Sequence, residues 1–197
     1  MNFKLRLAID RARAMNLPND NIDRAIKVGS GQGKGTEVKE VAYEGFGPGG
    51  VAIIAQAVTD NPNRTSADLR LLLSRYGGSL GSANSVRWMF ELRGIIRLAV
   101  TNLDAAAKET IELGVIDAGA EDVAEESGEL VITTAPDSWG PVKDWLVAHG
   151  HAPTSADMEL VPQTVVSPDD TTRQKLHELL EQIEEHDDVT DVYSNED

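Results

Sequence analysis

Residues 94–161 alternate between strand-like and helix-like hydrophobic patterns in an order that few folds can accommodate. The patterns predict strands over 95–100 and 157–161, helices over 104–118 and 137–149, and a hairpin over 122–134 around Ser127-Gly128. Gly119 and Gly150 follow the two helices, and glycine commonly ends a helix because it adopts a left-handed backbone without strain. The order strand, helix, hairpin, helix, strand is that of a ferredoxin-like unit, in which one antiparallel sheet is backed by two helices.

The chain on either side of this unit supplies the elements of a second α/β domain. On the N-terminal side the pattern predicts strands over 41–44 and 51–58, a helix from Asn61 and Pro62 to the glycines at 77–78, and a third strand over 85–92, where Val86, Trp88 and Phe90 alternate. On the C-terminal side Ser167 as a cap and Pro168 in the first turn predict a helix, which a strand over 188–193 follows. If these last two elements complete the first domain, the ferredoxin-like unit is an insertion within it.

Two short helices are predicted before these domains, over 3–15 and from about Asp20 to Gly29. The sequence therefore predicts an α+β protein, with a short N-terminal helical remnant followed by two ferredoxin-like-type α/β domains, the second inserted into the first. The predicted bounds are 1–36 for the remnant and its glycine-rich linker, 37–92 with 162–197 for the discontinuous domain, and 93–161 for the inserted domain.

A glycine-rich turn separates the first two predicted strands and consists of Gly45, Gly47, Pro48, Gly49 and Gly50. A dinucleotide-binding glycine run opens into a helix, whereas this one opens into a β-branched strand. We therefore expect a structural turn in which at least one glycine has a positive φ. The glycines over 29–35 likewise lack the spacing of a phosphate-binding loop.

The charge of the chain is divided unevenly between its halves. The net charge is −15, yet residues 1–97 hold 14 Lys and Arg against 9 Asp and Glu, whereas residues 98–197 hold 4 against 24. A basic N-terminal half can meet phosphate, and an acidic C-terminal half would repel a polyanion, which would orient a nucleic-acid complex. The alternative for the acidic half is a solvated surface that keeps the protein soluble.

The sequence offers little support for catalysis. It has no cysteine, which excludes a disulfide scaffold, a thiolate metal site and a cysteine nucleophile. His149 and His151 could contact a metal, but they follow a helix end and no Cys or third His lies nearby in the sequence. We therefore expect a protein that is not an enzyme and that uses no metal or cofactor. No apolar stretch reaches the roughly 18 residues of a membrane span, so we expect no membrane partner and a cytoplasmic location.

Basic side chains of the N-terminal half are the candidate phosphate contacts. Arg64 lies in the first turn of the helix that Asn61 is expected to cap, and helix starts bind anions through their free N–H groups. The alternative is that Asn61 acts only as a cap and that Arg64 pairs with Asp68 one turn later. The candidates are Asn61, Arg64, Arg70, Arg75 and Arg87 in one patch, and Lys4, Arg6, Arg11, Arg13, Arg24 and Lys27 in the N-terminal helices.

Six segments together resemble the YebC/PmpR family, and the resemblance covers essentially the whole chain. They are residues 15–22 (MNLPNDNI), 43–52 (YEGFGPGGVA), 59–65 (TDNPNRT), 77–81 (GGSLG), 85–90 (SVRWMF) and 118–123 (AGAEDV). The resemblance implies a three-domain α/β protein of a kind commonly described as a probable transcriptional regulator that binds DNA. Relatives of that family, including a mitochondrial translational activator, imply instead a role on the ribosome.

The sequence departs from that family at two places. Family members open with a basic helical segment containing a His-Ser-Lys-Trp-type motif, and Met1 falls after it, so we expect much of the family's positive charge to be missing from this sequence. Asn84 and Arg87 stand where the family usually has Gly and a small residue. Because Asn tolerates a left-handed backbone, we expect the turn at Asn84 to survive.

The sequence thus predicts a non-enzymatic regulator of gene expression, with two mechanisms left open. A DNA-binding transcriptional regulator would prefer some duplex sequence, whereas a ribosome-associated translation factor would bind ribosomal RNA. A small-molecule-binding or enzymatic ferredoxin-like domain is the alternative from another class. The oligomeric state does not follow from the sequence.

Overall fold

A computed structural model describes Leu5, Ile9, Ala12, Arg13 and residues 17–30, 38–101 and 103–197. These residues form two compact units. The first unit comprises the described residues up to Ala83 together with Asp169–Val192, and the second comprises Asn84–Pro168 with Tyr193–Asp197. The second unit therefore interrupts the first in sequence, as the α+β prediction of an inserted domain requires. The exact domain bounds given above, as limits of independently folding pieces, stay a prediction.

The four described residues before residue 17 have helical backbones. From Leu17 onward the regular elements of the described chain are, in order, α1 (Asn19–Gly29), β1 (Lys39–Phe46), β2 (Ala52–Thr59), α2 (Pro62–Arg75), β3 (Ser79–Leu80), β4 (Phe90–Ala99), α3 (Ala105–Asp117), β5 (Ala120–Glu126), β6 (Glu129–Thr134), α4 (Trp139–Ala148), β7 (Ser155–Pro162), α5 (Asp170–Glu184) and β8 (Val189–Ser194).

The sheet of the first unit has the strand order β3-β1-β2-β8. β1 and β2 pair antiparallel from Lys39 opposite Thr59 to Phe46 opposite Ala52. α2 and α5 contribute apolar side chains that are almost completely buried, which explains why both helices carry an i, i+3, i+4 pattern. These core side chains are Leu69, Leu73, Leu176, Leu179 and Ile183.

The glycine turn between β1 and β2 requires glycine for two different reasons. Gly49 and Gly50 have φ values of 74° and 75°, which an L side chain resists, and Pro48 is buried. Gly45 and Gly47 have ordinary φ values, but a Cβ there would lie 2.6 Å from the Ser79 carbonyl oxygen and 2.8 Å from the Ile53 side chain, respectively. The turn therefore needs glycine at two positions for conformation and at two for close packing.

The second unit has the ferredoxin-like strand order β5-β6-β4-β7, with antiparallel pairing between neighbours. α3 and α4 supply buried side chains to one continuous core with the sheet. That core consists of Ile96, Leu98, Val100, Ile111, Val115, Leu130, Ile132, Val142 and Leu146. Ser127 and Gly128 form the predicted hairpin turn with φ values of 50° and 86°, and Gly119 and Gly150 follow their helices with positive φ.

The predicted third strand over 85–92 is wrong. Residues Arg87–Met89 form a 3-10 turn, closed by a hydrogen bond from the Met89 N–H to the Val86 carbonyl, and β4 begins only at Phe90. The turn rotates Trp88 into solvent while Val86 and Phe90 remain buried, so the alternation was not that of a strand. The third strand of the first sheet in chain order is instead the two-residue β3, which lies at the edge of the sheet and pairs with β1.

The predicted cap of the last helix is also wrong. α5 begins at Asp170, and Asp169 is its N-cap, because its Oδ1 accepts the Thr172 N–H at 2.9 Å. Ser167 instead donates its hydroxyl to the carboxylate of Asp197 at 2.9 Å. Pro168 consequently precedes the cap rather than occupying the first turn of the helix.

Candidate nucleic-acid interface

The start of α2 is a capped helix N-terminus next to the end of β2. Asn61 is the N-cap, and its side-chain oxygen accepts the Arg64 N–H at 3.2 Å, while Pro62 occupies the first turn where its missing N–H costs nothing. The hydroxyl of Thr59, the last residue of β2, accepts the Asn61 N–H at 3.0 Å. The cap that the sequence predicts is therefore part of a larger polar cluster.

Asp188, which precedes β8, is the acceptor at the centre of this cluster. Its Oδ2 lies 2.6 Å from the Thr65 hydroxyl, 3.0 Å from the Thr59 hydroxyl and 2.9 Å from Nη2 of Arg64. Both threonines are almost completely buried, and the Asp188 side chain is 15% exposed. The Asp188 cluster, defined as Thr59, Arg64, Thr65 and Asp188, thus ties the end of β2 and the start of α2 to the chain that enters β8.

The cluster stabilises the charged form of Asp188. The hydrogen bond from Thr65, followed by those from Arg64 and Thr59 and the positive charge of Arg64, lowers the pKa of Asp188 from 3.8 to about 2, against the opposing effect of burial. Conversely, the hydrogen bond and charge of Asp188 raise the pKa of Arg64. Both groups are therefore charged at neutral pH and form an ion pair.

Arg64 pairs with Asp60 and Asp188, and not with Asp68, the partner that its spacing in the sequence suggests. Its Nη2 lies 2.9 Å from Asp188 and 3.2 Å from Asp60, and its side chain is half exposed. Asp68 lies instead 3.5 Å from Nε2 of His186. Two carboxylates already balance the Arg64 guanidinium, so the geometry favours the pairing alternative over phosphate binding, with Asp60 and Asp188 as the partners.

Other predicted contacts in the first unit are exposed. Arg70 and Arg75 lie on α2, Arg24 and Lys27 lie one turn apart on α1, and within the described chain no carboxylate or hydrogen-bond acceptor engages any of the four. Arg13 is also exposed, with a helical backbone. Lys4, Arg6 and Arg11 lie outside the described residues.

Arg87 supports the turn that follows the first unit. Its Nη1 donates a hydrogen bond to the Phe90 carbonyl at 2.8 Å, so the Arg87 side chain links the start of the 3-10 turn to the first residue of β4. The indole N–H of Trp88 donates to the Ser85 carbonyl at 3.1 Å, and the Trp88 side chain is 69% exposed. Trp88 is therefore a surface residue, although the alternating pattern predicted that it lies in a strand. Its exposure could not be predicted from the residue type.

The basic side chains of the second unit are engaged with its own groups. Arg93 pairs with Glu91 and Glu121, Arg97 with Glu159, and Lys108 with Glu125. The ammonium group of Lys143 lies 4.8 Å from the centre of the Trp139 ring. Positive charge available to an outside partner is therefore concentrated in the first unit.

His149 has an intramolecular role at the end of α4. Its Nδ1 lies 2.8 Å from the Trp145 carbonyl oxygen, and its ring stacks on Trp145 with centroids 4.1 Å apart. Across residues 17–30, 38–101 and 103–197 and the four described residues before them, no three His, Asp or Glu side chains are grouped as a metal would need. Over the same residues, no helix combines the length and apolar character needed to cross a bilayer.

Comparison with known proteins gives concordant matches in sequence and in structure. Residues 38–196 match a family described as the second and third domain of TACO1/YebC. A relative from Moorella thermoacetica is 46% identical and one from Carboxydothermus hydrogenoformans is 44% identical; they are matched over 100% and 98% of this chain and over 78% and 80% of their own lengths. Both relatives are called "Probable transcriptional regulatory protein". The crystal structure of a conserved hypothetical protein from Aquifex aeolicus superposes with a TM-score of 0.86 at 38% identity, covering 100% of this chain and 80% of that one.

Proposed function

Because the chain belongs to the TACO1/YebC family, we propose that it is a non-enzymatic, cytoplasmic regulator of gene expression that contacts nucleic acid through basic side chains of its N-terminal half. The names of its relatives support a regulatory role. The observation that carries the nucleic-acid contact is the placement of unpaired positive charge. Arg70 and Arg75 are exposed on α2 without an acidic partner in the described chain, while Arg93, Arg97 and Lys108 of the second unit are paired with carboxylates.

The pairing geometry divides the predicted contacts into two groups. Asn61 and Arg64 hold the start of α2 in place through the cap and the Asp188 cluster. Arg24, Lys27, Arg70 and Arg75 are the phosphate contacts that we propose, with the N-terminal Lys4, Arg6, Arg11 and Arg13 adding to them. Each exposed cation that reaches a phosphate releases a counterion, so affinity will fall steeply as salt rises.

Two targets fit this proposal. A DNA-binding transcriptional regulator would use the exposed arginines against the phosphates of a duplex, as the names of the relatives suggest. A ribosome-associated translation factor would use them against ribosomal RNA, and the exposed indole of Trp88 favours this second candidate, because exposed aromatic side chains stack on unpaired bases.

The proposed contact predicts a measurable salt dependence. We expect Arg70→Gln to weaken binding of a labelled nucleic acid and to reduce the slope of log affinity against log salt by about one. Lys175→Gln is the matched control: Lys175 is also exposed in the first unit, but it lies on the acid-rich α5, so its loss changes net charge equally without removing a phosphate contact.

Fluorescence anisotropy over a series of salt concentrations measures both slopes. Equal slopes of log affinity against log salt for the wild type and Arg70→Gln would show that Arg70 does not contact the nucleic acid. Equal losses in Arg70→Gln and Lys175→Gln would show that net charge, and not a defined contact, governs binding.

A further inference from the structure

Helix α3 of the second unit carries apolar side chains on its outer side as well as on the side that faces the core. Ile111 and Val115 are almost completely buried, whereas Leu113 and Ile116 are 60% and 52% exposed. Leu113 and Ile116 are three residues apart and are therefore neighbours on the helix surface. A helix that is apolar on both sides is ordinarily covered on both. The outer side of α3 thus presents apolar area that remains open in the described chain.

Carboxylates lie one helical turn away from each of these two exposed side chains. The α3 outer face is defined as Leu113, with Glu109 one turn before it and Asp117 one turn after it, and Ile116, with Glu112 one turn before it. Lys108 is the only cation of α3, and its ammonium group is paired with Glu125. The α3 outer face therefore combines apolar contact area with negative charge.

The helix that carries this face is held firmly in place. Asp104 caps its start by accepting the Ala107 N–H at 2.8 Å. A Cβ at Gly114 would overlap the ring of Trp145, so the glycine lets this ring of α4 pack directly against the backbone of α3. Because the side of α3 toward α4 is filled and its start is capped, a partner that binds the outer face pays little to order the helix.

We propose that the α3 outer face docks a short amphipathic segment of a partner protein. The apolar side chains of that segment would cover Leu113 and Ile116, and its Lys or Arg side chains would pair with the surrounding carboxylates. Residues 104–161 hold 13 Asp and Glu against two Lys and no Arg, so the wider field also attracts a cationic partner. The proposal goes beyond the nucleic-acid contact proposed above, which uses side chains of the first unit.

The charge of the face distinguishes this partner from two others. A nucleic acid would bring its phosphates against the carboxylates and would find no unpaired cation on α3. A second copy of the chain, packed face to face through the same helix, would bring identical carboxylates together, which costs free energy. A basic segment of a different protein meets both the apolar area and the charge.

The first arm of the test removes apolar area from the face. The probe is a labelled synthetic peptide of about 16 residues with Leu at helical i, i+3, i+4, i+7 spacing and Lys elsewhere, and a second peptide carries Glu in place of Lys. Leu113→Ser is compared with Leu71→Ser, because Leu71 is 61% exposed on α2 of the first unit and has the same side chain. Fluorescence anisotropy measures peptide affinity for each full-length form.

The second arm removes charge from the face. Glu109→Gln combined with Glu112→Gln is compared with Glu181→Gln combined with Glu184→Gln. The second pair lies on α5, has the same spacing of three residues and changes the net charge equally. Thermal melts of every variant check that it is folded.

We expect Leu113→Ser to weaken binding of the Lys peptide about tenfold and Leu71→Ser to leave it unchanged. The substitutions at Glu109 and Glu112 should weaken binding several-fold at low salt and reduce its salt dependence, whereas those on α5 should not. The Glu peptide should not bind. Failure of the wild type to bind the Lys peptide would overturn the proposal, as would equal losses in a variant and its matched control, since these would indicate general attraction and not a defined site.

Discussion

Replacing Gly78 by Ala should unfold the first unit at a much lower temperature than in the wild type, with a loss of about 3 kcal/mol in the free energy of unfolding. A Cβ at position 78 would overlap the Phe46 carbonyl oxygen and would lie 3.1 Å from Cα of Gly47. Both atoms are backbone, so neither can move aside as a side chain can. Relief would require separating the end of β1 from the turn after α2.

Gly77→Ala is the control for Gly78→Ala. At Gly77 an added Cβ strains the backbone conformation but meets no neighbouring atom. Gly77 has a φ of 82°, but no atom lies within 4 Å of its would-be Cβ. We therefore expect Gly77→Ala to cost about 1 kcal/mol, the usual strain of a non-glycine residue at a helix end with positive φ. Chemical denaturation of both variants measures the two free energies, and a cost at Gly78 no greater than at Gly77 would refute the role of the backbone contact.

Asp188→Ala should produce the second large effect, a loss of about 2 kcal/mol in stability. The substitution removes the carboxylate to which the buried hydroxyls of Thr59 and Thr65 both donate, and it leaves Asp60 as the ion-pair partner of Arg64. Asp187→Ala is the matched control, because Asp187 is the exposed neighbouring carboxylate; its removal should change stability by less than about 0.5 kcal/mol. Similar melting curves for the two variants would show that the Asp188 cluster contributes nothing.

The Asp188 cluster also makes the stability of the protein fall at acid pH. The folded-state pKa of Asp188, about 2, lies below the ordinary value of 3.8, so its contribution is fully present above about pH 4 and is lost as the pH falls toward 2. Solvent around the half-exposed Arg64 screens the pair, so we expect this contribution to be about 1 kcal/mol. The gap in stability between the wild type and Asp188→Ala should therefore narrow as the pH is lowered through that range.

Elements with a local signal were predicted correctly from the sequence. The helix from Pro62 to Arg75, with Asn61 before it and Gly77 after it, is confirmed because cap, apolar stripe and stop signal all lie within one stretch. The hairpin at Ser127 and Gly128 is confirmed for the same reason: the turn residues themselves fix its position. The ferredoxin-like strand order of the second unit follows from the order of its elements.

Features that depend on distant parts of the chain could not be predicted in this way. Asp188 is 124 residues from Arg64, and no periodicity marks the pair, so sequence spacing suggested Asp68 instead. Trp88 was assigned to a strand because an alternating pattern of three residues does not distinguish a strand from a 3-10 turn between two buried anchors. In both cases tertiary contacts decide between local alternatives of similar energy.

The most direct test of where nucleic acid contacts this protein is to crosslink the full chain at low salt to a single-stranded RNA containing 4-thiouridine, and to map the attached peptides by mass spectrometry. Our interpretation predicts crosslinks within α2, which carries Arg70 and Arg75, and within α1, which carries Arg24 and Lys27. Crosslinks confined to the acid-rich residues 104–161, or an absence of crosslinks where binding is saturated, would contradict it.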